Sequence, residues 1–474
     1  MAAGRGTRTR HQMEQGGGPL DRVQLGVALS AGKLTAHAGR LLRVGGGTSL
    51  PGLVARRIDP GVLRKVVGAS AARKIVVTGS NGKTTTCRMI AVLAHAAGRR
   101  VTQNRAGSNL VQGVTSVAVN GADVLILEID EAVMRHVVPE IAPDTVIVTN
   151  IFRDQLDRFG ELYAVAASLE ATIRSLPAAA TVILNGDDPL VAGFAPDARA
   201  RRLYFGVCAG DVGTQVPEHA ADSIRCARCQ HDLAYTRVYI SHLGAFRCPC
   251  CGYARPRLDI AVTRVQLTPL GATHVTMETP VGPLDLCLPL PGLHNVYNAA
   301  ATIAAALSAD LDLGPAAQAF AGVRPAFGRL EEITAGTRRI VLAFVKNPIS
   351  YNTTLRTILQ RPGPQHVLAA HSNTSVDGED FAWLWDVDLE DLAPQVASLV
   401  TGGTKAEELA LRYKYAGVPE ERMRAIRDLP TALDAALDNV EPGGLLYILS
   451  GYTQTRELRG VMQQRGWVPP FWEE

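Results

Sequence analysis

Residues 76–86, VVTGSNGKTTT, constrain this chain more than any other stretch. The β-branched run at 74–78 predicts a buried strand, Gly79, Asn81 and Gly82 predict a tight loop, and Lys83 with three threonines predicts the start of a helix. That order suits phosphate. A loop of Gly79, Ser80, Asn81 and Gly82 lets backbone N–H groups close on phosphate oxygens, the helix N-terminus adds partial positive charge, and Lys83 adds a full one. Thr84 or Thr85 then stands where a hydroxyl can hold magnesium. The first glycine of the full G-x-x-x-x-G-K-[ST] pattern is missing, since Val77 lies six before Lys83, so the loop is a shortened P-loop. An ordinary strand-to-helix turn accounts for the glycines but not for the lysine and threonines. ATP with magnesium is the expected ligand.

With 474 residues the chain has room for about three domains. A hydrophobic share of 47% with 20% charged residues fits a soluble globular protein, and a net charge of +3 gives no strong electrostatic case for nucleic acid or membrane. No window approaches the roughly 20 apolar residues of a spanning helix, and no apolar core with a cleavage site opens the chain. The cytoplasm is the expected compartment.

Residues 1–19, rich in Gly, Arg and Gln, read as a disordered extension. An amphipathic helix is expected at 23–42, followed by the glycine-rich loop GGGTSLPG at 45–52, for which a plain linker and a second phosphate or substrate contact both remain open. From 73 to 188, KIVVT, VLILEI, TVIVTNI and TVILN alternate with helical patterns, which predicts a parallel sheet covered on both faces. Leu162, Val165, Leu169, Ile173 and Leu176 recur at helical spacing as a core stripe. Ligands of such sheets sit outside the carboxyl ends of strands, where Glu128, Asp130 and Glu131, and then Asn150 and DQLD at 154–157, fall. They are candidate magnesium contacts, and helix caps are the other use of acids there.

Period-two patterning at 263–290 predicts antiparallel strands with a turn at 280–283, and GLHNVYNAAATIAAAL at 292–307 predicts a buried helix with Asn295 and Asn298 on one face. A second alternating α/β series starts near 328, with RIVLAFV, HVLAA and LLYIL. Trp383 and Trp385 are expected to alternate on a strand. Five of eight cysteines crowd into 226–251. Cys226-x-x-Cys229, then Cys248-x-x-Cys251 after eighteen intervening residues, is zinc-ribbon spacing, with Cys250 as the surplus thiol. A structural insertion that stiffens a hairpin and an interaction module are both compatible with it.

Together these motifs resemble the Mur ligase family, whose members form amide bonds by activating a carboxylate as an acyl phosphate. TGSNGKTTT resembles the family's ATP loop, ILEIDEA its magnesium-binding glutamate region, TNIFRDQLDRFG its second metal and nucleotide segment, GLHNVYNAAA its adenine-binding helix, and FGRLEE its hinge. The resemblance spans 45–474 and implies an α/β architecture. A Mur-ligase-like central P-loop ATPase domain with a parallel sheet fills 61–327, preceded by a helix and glycine-rich loop at 20–60 and interrupted by a zinc ribbon at 222–256. A C-terminal Rossmann-like α/β domain fills 328–474. Glu128 with Thr84 or Thr85 would hold magnesium, Asn295 and Asn298 would face adenine, and Arg329 would approach the nucleotide as the domains close.

Three departures resemble one branch of the family: Gln155 where most members have histidine, the ribbon, and the segments VKNPISYN and DGEDFAWLWDVD. That branch is the ligase subunit of an amidating enzyme. The resemblance implies a GatD-type glutaminase partner that supplies ammonia, and the D-glutamate carboxylate of the lipid II stem peptide as acceptor at the inner membrane face, with the chain itself in the cytoplasm or peripheral at that face. It also implies that one C-terminal aspartate, Asp377, Asp380 or Asp386, completes the partner's glutaminase site, with Asp386 favoured because WLWD sets it among large apolar side chains. Three rival readings are an amino-acid-adding Mur or folylpolyglutamate-type ligase needing no glutaminase, a nucleic-acid-binding ATPase that reads with the ribbon, and a catalytically idle scaffold, against which the intact Lys83 and Glu128 argue.

Overall fold

The computed structural model describes residues 19–41, 50–104, 111–115, 122–153, 162–219, 221–325, 328–374, 377–378 and 380–469. The expected extension before Pro19, most of the glycine-rich loop and DQLD at 154–157 lie outside the described residues.

Nine strands form the first sheet. β1 (Arg73–Thr78) lies between β3 (Val124–Glu128) and β4 (Thr145–Val148), both parallel to it. β2 (Val101–Gln103) flanks β3; β5 (Thr181–Asn185) and β6 (Arg201–Val207) continue in parallel beyond β4. The sheet ends in the antiparallel meander β9 (Ile260–Leu267), β10 (Thr273–Thr279) and β11 (Gly282–Leu288), joined through a parallel pairing of β9 with β6. Parallel neighbours need crossovers, and these place α3 (Lys83–Ala96) on one face and α4 (Leu162–Arg174) on the other; the buried α5 (Leu293–Ser308), which follows the meander, packs on the α3 face. Each face therefore has its own core. Ile75, Ile126, Ile147 and Ile183 pack towards α3 and α5, while Val76, Leu125, Val146 and Leu184 pack towards α4. All eight are fully buried, and truncating one to alanine costs about 2–5 kcal/mol.

A second sheet of six strands runs β12-β13-β17-β14-β15-β16. Its members are β12 (Arg329–Ala335), β13 (Arg338–Phe344), β14 (Gln365–Ala370), β15 (Val396–Gly402), β16 (Met423–Ile426) and β17 (Leu445–Ser450). Only β12 is antiparallel to its neighbour; α6 (Pro348–Leu359), α7 (Ala406–Tyr415) and α8 (Tyr452–Gln464) are among the helices that follow its strands. The two sheets meet at 328–330. There Gly328 and Leu330 both have positive φ, +62° and +56°. A β-branch-free but bulky leucine in the left-handed region marks strain held where the chain turns between sheets.

Two local expectations are corrected. Leu50, Pro51 and Gly52 are not loop but open α2 (Leu50–Ile58), with the proline in the first turn, where its missing N–H costs nothing. Trp383 and Trp385 do not alternate on a strand. They lie in a 3₁₀ turn, Ala382–Asp386, whose three-residue period points side chains two apart in divergent directions. Trp383 turns in against Tyr351, His371 and Phe381, and Trp385 turns out, half exposed. α1 spans Pro19–Leu41, and among the described residues no helix is long and apolar enough to cross a membrane.

Candidate active site

The loop after β1 is held in shape from β4. Gly79 (φ +121°) and Gly82 (φ +88°) adopt backbone that favours glycine, and neither has room for a Cβ: one at Gly79 would collide with Thr149 and Asn150, one at Gly82 with the Asn298 carboxamide. Asn150 accepts from the Asn81 N–H with its side chain (2.9 Å) and from the Ser80 N–H with its carbonyl (3.0 Å). The Ser80 hydroxyl bonds the Phe152 backbone in both directions, at 3.1 and 2.9 Å, so this side chain braces the loop from below.

Lys83 and the acids after β3 form one buried group. In-register pairing sets Glu128 beside Val77, two residues before the loop. Thr84 Oγ1 donates to Glu128 Oε2 at 2.9 Å, and Lys83 Nζ donates to Glu131 Oε2 at 3.1 Å and to the Gly79 carbonyl. Burial pushes the Glu128 carboxyl above its ordinary range, against the pull of Lys83 and Thr84. Asp130 is also raised, by burial and then by Glu131; in Glu131 burial is outweighed by Lys83 and Lys346, and the net direction is down. A carboxylate that resists ionisation next to a threonine hydroxyl is a fitting cradle for a divalent cation, whose charge would restore the ionised form. Thr84 and Glu128 would hold it; Thr85 is buried one residue further on.

Glu128→Gln tests this cradle by opposing effects. A raised folded pKa means the carboxyl destabilises the ligand-free fold once pH rises through that value, and the penalty vanishes below the unfolded pKa. At pH 7.5 the variant is expected to raise the ligand-free Tm by about 1–3 °C in thermal denaturation, to lose that advantage at pH 4, and to turn over at least about 10²-fold more slowly.

The cleft is completed from both sheets. Asn81, Gly82, Thr84, Thr85, Asn295, Asn298 and Arg329 line one cavity, together with Phe344, Ser350 and Thr353 of the second sheet's layer. Asn298 Nδ2 donates to Asn295 Oδ1 (3.2 Å), and Asn298 accepts from the Thr86 hydroxyl (3.3 Å), which locks α5 against α3. The Arg329 guanidinium lies 4.7 Å from the centre of the Phe344 ring. Three contributors escaped sequence reasoning. Lys346 acts electrostatically on Glu128, Asp130 and Glu131 from the other sheet; Asn347 reaches Asn81 at 3.5 Å; and His294 is half-buried in the cleft, with Nδ1 enclosed and unpartnered and its pKa lowered to about 4 by desolvation and by Arg329. The signal for His294 was its place beside Asn295; for Lys346 and Asn347 it was the NP helix start, which reads only as a cap.

Comparison with known proteins agrees with this two-sheet arrangement. Residues 77–306 match the Mur ligase middle domain and residues 344–455 the MurT ligase C-terminal domain. The MurT subunit of lipid II isoglutaminyl synthase (glutamine-hydrolyzing) from Streptococcus pneumoniae is 33% identical over 90% of this chain and 94% of its own length. The chain belongs to the Mur ligases, in the MurT family. The corresponding Staphylococcus aureus subunit is 28% identical over 87% of this chain and 92% of its own. A solved pseudomurein peptide ligase type C from Methanothermus fervidus superposes with a TM-score of 0.65 over 85% of this chain and 80% of its own, at 20% identity, a likeness of fold.

Two further features distinguish this MurT-family chain from a bare ATPase. Cys226, Cys229, Cys248 and Cys251 bring their Sγ atoms within 4.8 Å of one another at the base of the hairpin β7 (Ala234–Ile240) and β8 (Leu243–Arg247). The Cys226–Cys251 and Cys229–Cys248 sulfurs are 3.6 and 3.4 Å apart, close to the roughly 3.8 Å of a tetrahedral site with 2.3 Å bonds. Backbone N–H groups of Arg228 and Cys251 point at Cys226 and Cys248. Cys250 is exposed. Tyr253 anchors the knuckle through Pro189 (2.6 Å), and Arg228 covers the Tyr253 ring. Arg225 faces Asp232 and Arg237 donates to the Val212 carbonyl, so these bases are engaged within the protein.

The three C-terminal aspartates differ in freedom. Asp377 accepts from the Thr374 hydroxyl and the Thr453 N–H and so closes a turn onto α8. Asp380 is exposed and accepts from the Ala382 N–H. Asp386 lies 3.4 Å from the Arg153 guanidinium of the first sheet's layer, which also pairs with Asp222. Beside Asp386, Trp385 and Tyr415 meet edge to face, both half exposed or more.

Proposed function

We propose that this chain is the ligase subunit of a lipid II isoglutaminyl synthase, acting in the cytoplasm during peptidoglycan synthesis. The D-glutamate carboxylate of the stem peptide attacks the γ-phosphorus of ATP, the bond to the bridging oxygen breaks and ADP leaves. Ammonia then attacks the acyl carbon, phosphate departs, and loss of a proton leaves the D-isoglutamine amide. Magnesium supplies charge to the phosphate oxygens. Thr84 and Glu128 hold it, Lys83 neutralises the transferring group, Asn295 and Asn298 position the base, and Arg329 and Lys346 bring positive charge from the C-terminal side as the cleft closes. Ammonia comes from a GatD-type glutaminase docked by the exposed Trp385–Tyr415 pair, where Asp386 orients the partner's catalytic histidine.

What carries this reading is identity to MurT subunits running through both sheets together with a cleft that joins them. The test is glutamine-dependent amidation of lipid II by the purified chain with ATP and magnesium, with and without the glutaminase from the same genome. Amidation only with both chains supports the proposal. Ligation of an amino acid by this chain alone would replace it with an amino-acid-adding ligase.

The four-thiolate cluster holds a structural zinc, because four thiolates leave no open position for chemistry. Protein produced in zinc-supplemented medium is expected to carry about one zinc per chain by elemental analysis. Cys226→Ser is expected to lose it and to speed amide exchange in β7 and β8, with nucleotide affinity unchanged within about threefold. Unchanged exchange in the variant would show that the cluster needs no metal.

A further inference from the structure

Helix α1 carries an apolar stripe that no described part of the fold covers. Leu20, Val23, Val27 and Leu34 are 85%, 63%, 52% and 71% exposed. At the helical repeat they share an arc of about 60° and a length of about 21 Å. The opposite side is fixed to the domain: Ala28 and Gly32 are buried, a Cβ on Gly32 would already press on the Pro51 carbonyl at 3.2 Å, Gln24 donates to the Ile58 carbonyl (2.6 Å), and Asp21 pairs with Lys65 at 3.0 Å. The one acid of the helix, half-exposed, is thus paired with a cation of the domain. Arg22 and Lys33 stand exposed on one flank of the stripe.

The stretch of sequence that holds the helix is basic as well: residues 1–57 hold nine Lys or Arg against two acids, whereas the rest of the chain has more acids than bases. Among the described residues Arg22 and Lys33 on α1 and Arg57 on α2 are exposed, and a second copy would bring these cations against their own kind. An anionic bilayer complements both features, since an in-plane amphipathic helix buries such a stripe at the acyl boundary and keeps bases among headgroups.

We propose that α1 seats the enzyme on an anionic membrane surface, with the Leu20–Leu34 stripe inserted and Arg22 and Lys33 at the headgroups. The inference deepens the reading above, on which the acceptor carboxylate belongs to a lipid-linked molecule. The full-length chain is sedimented with vesicles of equal phosphatidylglycerol and phosphatidylcholine lacking lipid II. Binding is expected to exceed that to pure phosphatidylcholine by about tenfold and to weaken with salt. Val23→Asp/Leu34→Asp is expected to cut binding by about tenfold or more, to raise the KM for lipid II in vesicles at unchanged kcat, and to leave amidation of a lipid-free stem peptide as it was. Wild type that ignores anionic vesicles, or a variant that binds as well, overturns the proposal. So does light scattering that shows a wild-type dimer split by the variant without vesicle binding. If vesicles are bound as expected but neither substrate is amidated, the membrane seat stands and the functional reading fails.

Discussion

Lys83→Ala is expected to abolish ATP-dependent amidation, by at least about 10²–10³-fold in kcat, and to unsettle the fold as well. Lys83 and Glu131 have side chains only 8% and 6% exposed, so deleting the ammonium leaves a buried carboxylate without its ion-pair partner, held by Lys346 and a backbone hydrogen bond. Breaking a buried pair from one side costs about 3–5 kcal/mol when nothing else compensates; Lys346 and a backbone hydrogen bond to the Glu131 carboxylate make the lower end the better expectation. Because activity and stability fall together, the single variant does not separate them. Lys83→Ala/Glu131→Gln does. The amide removes the orphaned charge, so Tm is expected to recover towards wild type while turnover stays lost, because the phosphate has no ammonium in either protein. If the double variant regains activity along with Tm, Lys83 serves the fold and not phosphoryl transfer.

The site was legible where its logic is local. A strand, two left-handed glycines and a helix start lie within eleven residues, so spacing alone points to Gly79, Gly82, Lys83 and the pair Thr84 and Thr85, between which only the Thr84–Glu128 hydrogen bond distinguishes. Glu128 followed because strand ends in a parallel sheet converge on the loop. The antiparallel meander and the buried helix at Asn295 and Asn298 were visible through their different periods. What stayed hidden depends on long-range placement. Lys346 and Asn347 reach the loop only because the second sheet folds back across the cleft, and Arg153 meets Asp386 across more than two hundred residues. The two tryptophans depart from the expected strand because five residues, AWLWD, fit a strand and a 3₁₀ turn equally well, and packing of Trp383 on His371 decides between them. The exposed stripe of α1 looks in sequence like an ordinary core face; only the structure shows it turned outward.

Asp386→Asn is expected to split the two nitrogen sources. With glutamine as donor and the glutaminase present, amidation should fall about 10²-fold or more, since a carboxylate that orients a histidine and stabilises its charged form cannot be replaced by a neutral amide. With ammonium chloride as donor, the rate should stay within about threefold, because Asp386 contacts neither the nucleotide loop nor the cation cradle and its half-exposed pair with Arg153 is worth under about 1 kcal/mol. Asp377→Asn should behave otherwise. It weakens the acceptor that ties the turn to the start of α8, so both donors are expected to suffer together along with Tm. Asp380→Asn, at an exposed turn with one backbone partner, should change little. The comparison is a ratio of glutamine-supported to ammonia-supported rates for each variant. Were the ratio to collapse in Asp380→Asn and hold in Asp386→Asn, the partner's histidine would have to approach the preceding loop, and Trp385 would lose its place as the anchor beside the shared site.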